Sequence, residues 1–404
     1  MSSVLIAGGG IGGLATALAV SQAGHRVVVL EREPEFAEIG AGIQLGPNAF
    51  RALERLGVKQ GLDEHVVFID SLRLMDGVTG RSIAALDLGS AFRRRYGHPY
   101  AVVHRSHLHR MLLEACRTSA AIELRPGNGV ERYVQDNVGV TVTLTDGTRV
   151  HGSSLVGADG LHSAVRRQLV GDGAPIVSGH TTYRAVIPAD RLPEDLCANA
   201  ATLWAGPGTH MVHYPIAGSA LVNLVLTRDN GATQPVAGRP AESSEMAANF
   251  GHMHSSPRRL VDLGRDWKAW VLCDREPIDR WQDGRVVLLG DAAHPMLQYA
   301  AQGACQALED AVCLGERLAE EAPVAAFAEF TARRSPRTRR VQEASRFLGR
   351  EIYHPSGPDA DRRYAMFAGW TEVDLMDHLD WLYAEHGPAG DTVRVGVADR
   401  RQEH

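Results

Sequence analysis

Val4-Leu5-Ile6-Ala7-Gly8-Gly9-Gly10-Ile11-Gly12-Gly13 opens the stretch that decides how the chain folds. Four apolar residues in a row read as a short strand buried on both faces. A glycine cluster follows, then Leu14, Ala17 and Leu18 at helical spacing as far as Gly24, then a second β-rich run from Arg26 to Leu30. Strand, tight turn, helix and strand within about 30 residues make a βαβ unit, and that unit needs a parallel sheet with helices against it.

Gly8, Gly10 and Gly13 stand as GxGxxG between that strand and that helix. There the first glycine permits a tight turn, the second lets backbone approach a pyrophosphate, and the third lets the helix pack closely on the strand. The helix N-terminus offers free N–H groups and partial positive charge to phosphate. Glu31 ends the second strand 18 residues beyond Gly13, where a carboxylate can accept both ribose hydroxyl hydrogens. A dinucleotide site is expected, and the motif does not say which dinucleotide.

The remainder reads as two further units. With 404 residues and 44% hydrophobic content the chain can bury a large core. Its 42 basic and 48 acidic residues give a net charge of −6, with no general attraction to nucleic acid or anionic lipid, and the Arg93–Arg95 and Arg333–Arg340 clusters read as solvated faces. The five cysteines form no CxxC pair, so neither zinc nor a disulfide framework is indicated; no metal is expected and a reducing cytoplasm fits. Val4 to Val20 is apolar, but its five glycines each cost a helix about 1 kcal/mol, against a membrane span.

Asn48 and Ser106 are expected to cap helices that follow them. Alternating segments over 120–157, with Asp146-Gly147 as a turn, read as a β-meander. From 178 to 272 the helical pattern weakens and Leu203-Trp204, His210 to Pro215 and Ala220 to Leu226 read as antiparallel strands. Val286 to Leu289 is again a buried parallel-type strand, and a long helix is expected over 302–320. The expected fold is α/β (α+β): a Rossmann-like nucleotide domain with a β-meander over 1–72, 98–177 and 273–345, interrupted by a sheet-based substrate domain over 73–97 and 178–272. A C-terminal helical segment, 346–404, follows.

Gly157-Ala158-Asp159-Gly160-Leu161-His162-Ser163-Ala164-Val165-Arg166 and Gly290-Asp291-Ala292-Ala293-His294 closely resemble the DG and GD motifs of the flavoprotein aromatic hydroxylases, the group A FAD monooxygenases. The resemblance spans about residues 1–345. It implies FAD as cofactor and NADH or NADPH as reductant, with Asp291 on a ribityl hydroxyl and Asp159 serving FAD and the passing nicotinamide together. It places Arg105, in His104-Arg105-Ser106, near the pyrophosphate. Arg32, Gln44, Arg166, Gly303 and Ala304 complete the cofactor set, with Gln44 and Leu45, after Gly40-Ala41-Gly42-Ile43, beside the flavin ring. It also suggests a homodimer, and a small aromatic acid and O2 as reactants. The alternative use of Asp159 and Asp291, as turn formers or helix caps, is common for such sequences.

Within the family, Gln298, where most members carry proline, and the stretch from Gly206 to Pro215 resemble members that hydroxylate 3-hydroxybenzoate at C6. Strand geometry gives an independent test: residues two apart share a face, so His210, Val212 and Tyr214 point one way and His213 the other. The resemblance makes His210 the base that takes the phenol proton, Gln298 the holder of the phenol oxygen and Tyr214 a pocket phenol. Tyr183 and Arg184 are candidates for the substrate carboxylate, and Pro295 for the pocket wall. Salicylate 1-hydroxylation giving catechol and CO2 is the alternative reaction. A flavin halogenase is disfavoured, since Trp267 and Trp270 are spaced WxxW rather than WxWxIP; a simple NAD dehydrogenase and a non-catalytic FAD-binding protein stay open.

Overall fold

The computed structural model describes residues 3–37, 42–58 and 66–385; Gly40, Ala41 and the end of the expected C-terminal segment, 386–404, lie outside them. Val4–Ala7 is the hub of a six-stranded sheet. It pairs in parallel with Val27–Leu30 on one side and Ser154–Gly157 on the other. Val286–Leu288 adds beyond Ser154–Gly157 and Ile122–Arg125 beyond Val27–Leu30, both parallel; the short edge strand Gln282–Asp283 alone runs antiparallel. The chain therefore returns to its first sheet after a long excursion.

Two of the helices beside this sheet cross closely, and glycine sets their separation. Helix Ile11–Gln22 crosses helix Gly303–Glu320 so tightly that a Cβ on Gly315 would stand 2.7 Å from the Ala19 methyl and 2.9 Å from its backbone. The β-meander is shorter than expected: Val130–Gln135, Val140–Leu144 and Arg149–Gly152 form it, while its expected outer strands belong to the parallel sheet. Neither expected cap acts as one. Helix Pro47–Arg55 is capped at Gly46, leaving the Asn48 amide to reach Gln302 and Glu309, and helix Arg105–Thr118 begins after His104, whose ring bonds the Ser106 hydroxyl.

The second sheet has eight strands, and its register assigns every side chain to one of two faces. Across four neighbouring strands, Tyr183 pairs with Leu226, Leu226 with Met211, and Met211 with Trp204. This row packs with Phe250, Leu260 and Trp267 into a core under helices Ser243–Phe250 and Ser255–Leu263, two helices the sequence pattern did not disclose. One residue along, Arg184 pairs with Val225, Val225 with Val212, Val212 with Leu203 and Leu203 with Leu74. This second row must face the other way, toward the parallel sheet.

Beyond helix Pro323–Phe347 a π-helical turn, Leu348–Tyr353, leads to helices Pro358–Phe367 and Glu372–Tyr383. These are tied back to early parts of the chain. Arg363 is buried and bonds Asp76 at 2.9 Å, the Tyr96 hydroxyl donates to Met376 O, and Arg51 donates to Tyr383 O. No described helix is long and apolar enough to cross a membrane.

Candidate active site

A cavity of about 1920 Å³ runs from the glycine turn to the underside of the eight-stranded sheet. At its first end the glycines are sterically required. Gly8 has φ +103°, and a Cβ there would lie 2.3 Å from Ala158 O; a Cβ on Gly13 would lie 2.0 Å from Gly8 O. Glu31 reaches the same rim, its carboxylate accepting from Gly9 N at 2.6 Å and from Glu33 N at 2.8 Å. Helices Ile11–Gln22 and Gly303–Glu320 both begin at the cavity without a side-chain cap from the described residues, with Gly10, Gly303 and Ala304 lining it. Two sets of free N–H groups thus face the same space, an arrangement that favours anionic or electron-rich oxygens. Arg32 and Arg105 line it as well.

The DG and GD segments meet beside this turn. Asp291 sits exposed at the cavity after Gly290, whose φ of +61° makes the turn. Asp159 also lines the cavity, yet it caps helix Ala164–Leu169 through Ala164 N at 2.7 Å and Val165 N at 3.2 Å, and accepts from the Ser163 hydroxyl. Burial pushes its carboxyl above the usual range despite these bonds. Arg166 requires a correction: it is wholly buried away from the cavity, bonding Asp172, Ala292 O and Ala293 O. Successive helical residues point about 100° apart, so Arg166 ties the two motifs together while Arg167 lines the cavity.

At the other end His210, Val212 and Tyr214 line the cavity from one face of strand Thr209–Ile216. Burial pushes the His210 imidazole well below its ordinary pKa, and His354 and His180 push the same way. Its Nδ1 lies 2.8 Å from His354 Nε2. The Tyr214 hydroxyl donates to Gly42 O at 2.7 Å, and Gln44, which also lines the cavity, accepts from the Tyr100 hydroxyl at 2.6 Å.

Arg184 enters from the neighbouring part of the sheet, its guanidinium 5.4 Å from the Trp270 ring centroid. It forms no ion pair with an acid among the described residues, and its Nε has no hydrogen-bond partner. Gln298 holds it: the amide oxygen accepts from Arg184 at 2.8 Å, and the amide nitrogen donates to Thr182 at 2.9 Å and toward Thr227 at 3.3 Å. The expected direct hold of Gln298 on a phenol oxygen is thereby revised, since its donors are already spent on two threonines.

Two other expectations are corrected. Tyr183 faces the opposite core, bonding Glu245 and Asn249, because it neighbours Arg184 on an alternating strand. Pro295 is buried behind the wall with its carbonyl accepting from Gln342; Met296 and Leu297 line the cavity instead. Tyr100, Tyr299, Tyr353 and His354 are not assigned to the site from sequence, and Trp270 is noted only for its spacing from Trp267.

His213 faces away, as strand parity requires, and stacks on Trp204, with Nε2 unbonded among the described residues. Burial lowers its pKa to about 4, while an unfolded chain restores ~6.5. Below ~6.5 the unfolded state binds the extra proton, so stability should fall on acidification by about 1.4 kcal/mol per pH unit until pH nears 4. Thermal melts of wild type and His213→Phe between pH 7 and 5 check this. The variant should lose less; equal slopes would remove His213 from the acid response.

A parallel sheet with a glycine-rich turn, two uncapped helix ends, and a cavity that continues under a second sheet define a dinucleotide-dependent enzyme whose cofactor meets a separate small reactant. The chain belongs to the FAD binding domain family, whose pattern matches residues 1–345. It is similar to 3-hydroxybenzoate 6-hydroxylase 1 of Aquipseudomonas alcaligenes, 48% identical over 95% of this chain and 98% of that one. It is also similar to the 3-hydroxybenzoate 6-hydroxylase of Klebsiella oxytoca, 43% identical over 94% and 96%. Among solved structures, a salicylate hydroxylase substrate complex superposes with TM-score 0.82 at 26% identity, covering 95% of each chain. The enzyme is an FAD-dependent aromatic-ring monooxygenase.

The site fits FAD on its own geometry. Glu31 can accept from ribose, the uncapped helix ends suit the pyrophosphate and the polar edge of a flavin, and Asp291 can accept from a ribityl hydroxyl.

Proposed function

We propose that the enzyme converts 3-hydroxybenzoate to 2,5-dihydroxybenzoate with NADH or NADPH and O2. The observation that supports this best is the pair of unlike anchors on one face of one sheet: Arg184, a cation without an acid partner among the described residues, and a buried neutral base, His210. Strand Leu221–Ala232 lies between theirs, and strands stand about 4.8 Å apart. His210 also stands two residues along from the position opposite Arg184, so the two backbones are about 12 Å apart, a distance that the two side chains and one ring carrying a carboxylate and a hydroxyl can span. The two relatives named above are called 3-hydroxybenzoate 6-hydroxylases, in keeping with that ligand.

When bound, FAD supplies the redox chemistry, taking up reducing equivalents and activating O2 for transfer of one oxygen atom to the ring. The protein's own residues prepare the ring. Arg184, aimed by Gln298 and backed by Trp270, holds the carboxylate; neutral His210 accepts the phenol proton, and the resulting charge enriches the carbons ortho and para to oxygen. Val212, Val225 and Leu203 form a flat apolar wall from the same sheet row, which fixes the ring plane. Para attack at C6 gives the 2,5-dihydroxy product. The same reading takes the enzyme as a cytoplasmic homodimer.

Product analysis from a panel of monohydroxybenzoates tests the proposal: 2,5-dihydroxybenzoate from 3-hydroxybenzoate is expected, and preferred conversion of salicylate to catechol and CO2 would overturn it. Arg184→Ala should raise KM for 3-hydroxybenzoate by about 10- to 100-fold, the worth of a hydrogen-bonded charge of ~1.5–3 kcal/mol, with FAD retained. Steady-state kinetics decide it, and an unchanged KM would take the carboxylate away from Arg184.

A further inference from the structure

His210 is only the inner member of a group of rings that reaches toward solvent. Its Nδ1 lies 2.8 Å from His354 Nε2, and the two imidazoles are near parallel with centroids 5.0 Å apart. The His180 ring stands edge-on to His354 at 5.1 Å, with its Nε2 3.7 Å from Asp229, whose side chain is about half exposed. Tyr299 and Tyr353 pack around the pair, and the Tyr299 hydroxyl bonds His180 Nδ1 at 2.5 Å. His354 is brought here by the π-helical turn before it, and its carbonyl accepts from Gly208 N at 2.9 Å at the start of the His210 strand.

We propose that His354 is the proton-relay partner of His210, setting its tautomer and carrying the substrate's phenolic proton out toward His180, Asp229 and solvent. The inference rests on the reading of His210 as the base. A neutral imidazole is a donor at one nitrogen and an acceptor at the other. With His354 Nε2 accepting, the His210 proton sits on Nδ1, which leaves Nε2 with the lone pair that must meet the phenol. As the phenol O–H bond breaks, its proton goes to His210 Nε2; the Nδ1 proton moves to His354 Nε2, and His354 releases its own Nδ1 proton outward. Protons balance, and no positive charge stays on the most deeply buried ring. Burial holds the imidazoles of His210 and His354 well below the ordinary value, so both are neutral acceptors at neutral pH, and Asp229 acts in the opposite sense on His354.

The test uses FAD-loaded enzyme and 3-hydroxybenzoate. His354→Gln keeps a hydrogen-bonding group beside His210 but cannot pass a proton through. Its hydroxylation rate at neutral pH should fall on the order of 10²-fold, the lower end for losing a proton-transfer group, and recover as rising pH ionises the phenol directly. Proton release on substrate binding, followed with an indicator dye, should slow alongside, while FAD content and the binding-induced flavin spectral change persist. In His354→Gly, added imidazole should restore the rate and pyrazole, of the same shape but far less basic, should not. Wild-type rates in His354→Gln, or equal rescue by the two azoles, would overturn the relay. If His210→Ala is also unimpaired, the base assignment itself fails; if His210→Ala is crippled while His354→Gln is normal, only the relay does.

Discussion

His210→Ala is expected to lower the rate of ring hydroxylation by ~10²–10⁴-fold, the usual cost of losing a positioned general base. Strand parity puts His210 on the cavity face with Val212 and Tyr214, where it is 2% exposed. Burial keeps its ring neutral at working pH, which is the state a base must have before it acts. The variant should still bind FAD, because no cofactor-end contact passes through residue 210, and its flavin should still be reduced, with O2 then diverted to H2O2. Comparing 2,5-dihydroxybenzoate formed with NADH consumed measures this. Coupled turnover at the wild-type rate would remove the role.

Gly13→Ala should abolish FAD retention. A Cβ at this position would lie 2.0 Å from Gly8 O and 3.0 Å from Gly8 C, and both are backbone atoms that no rotamer change can move. Either helix Ile11–Gln22 shifts away from the sheet or the turn at Gly8 opens, and each moves the N–H groups that face the phosphates. Overpacking of this kind costs about 1–3 kcal/mol of stability as well. The purified variant should be colourless and melt earlier than wild type. A yellow protein with normal flavin content would show that the turn tolerates the methyl group.

Much of this was legible from local rules. A GxGxxG turn between an apolar strand and a helix has few physical readings, and the period-2 alternation that places His210, Val212 and Tyr214 together needs no tertiary information. The failures came where parity was not applied or had no pattern to act on. Tyr183 and Arg184 are neighbours on one strand and could never both have faced the cavity; which one does depends on where helices Ser243–Phe250 and Ser255–Leu263 pack. Arg166 and Arg167 pose the same question on a helix. The revised task of Gln298 follows from Thr182 and Thr227, which adjacent strands bring side by side, and its contact with Thr182 spans 116 residues of chain. His354, 144 residues from His210, sits in a segment with little signature, so only the folded chain reveals it.

The Arg363–Asp76 bond spans 287 residues, and Arg51 is bonded to Tyr383 across 332. Such long closures are slow to form, because the loop entropy must be met before the contact is made. On a ribosome the glycine turn emerges hundreds of residues before the ring that faces His210 and the helices that fasten it. A nascent chain can thus shape a phosphate-binding turn long before its catalytic end is walled.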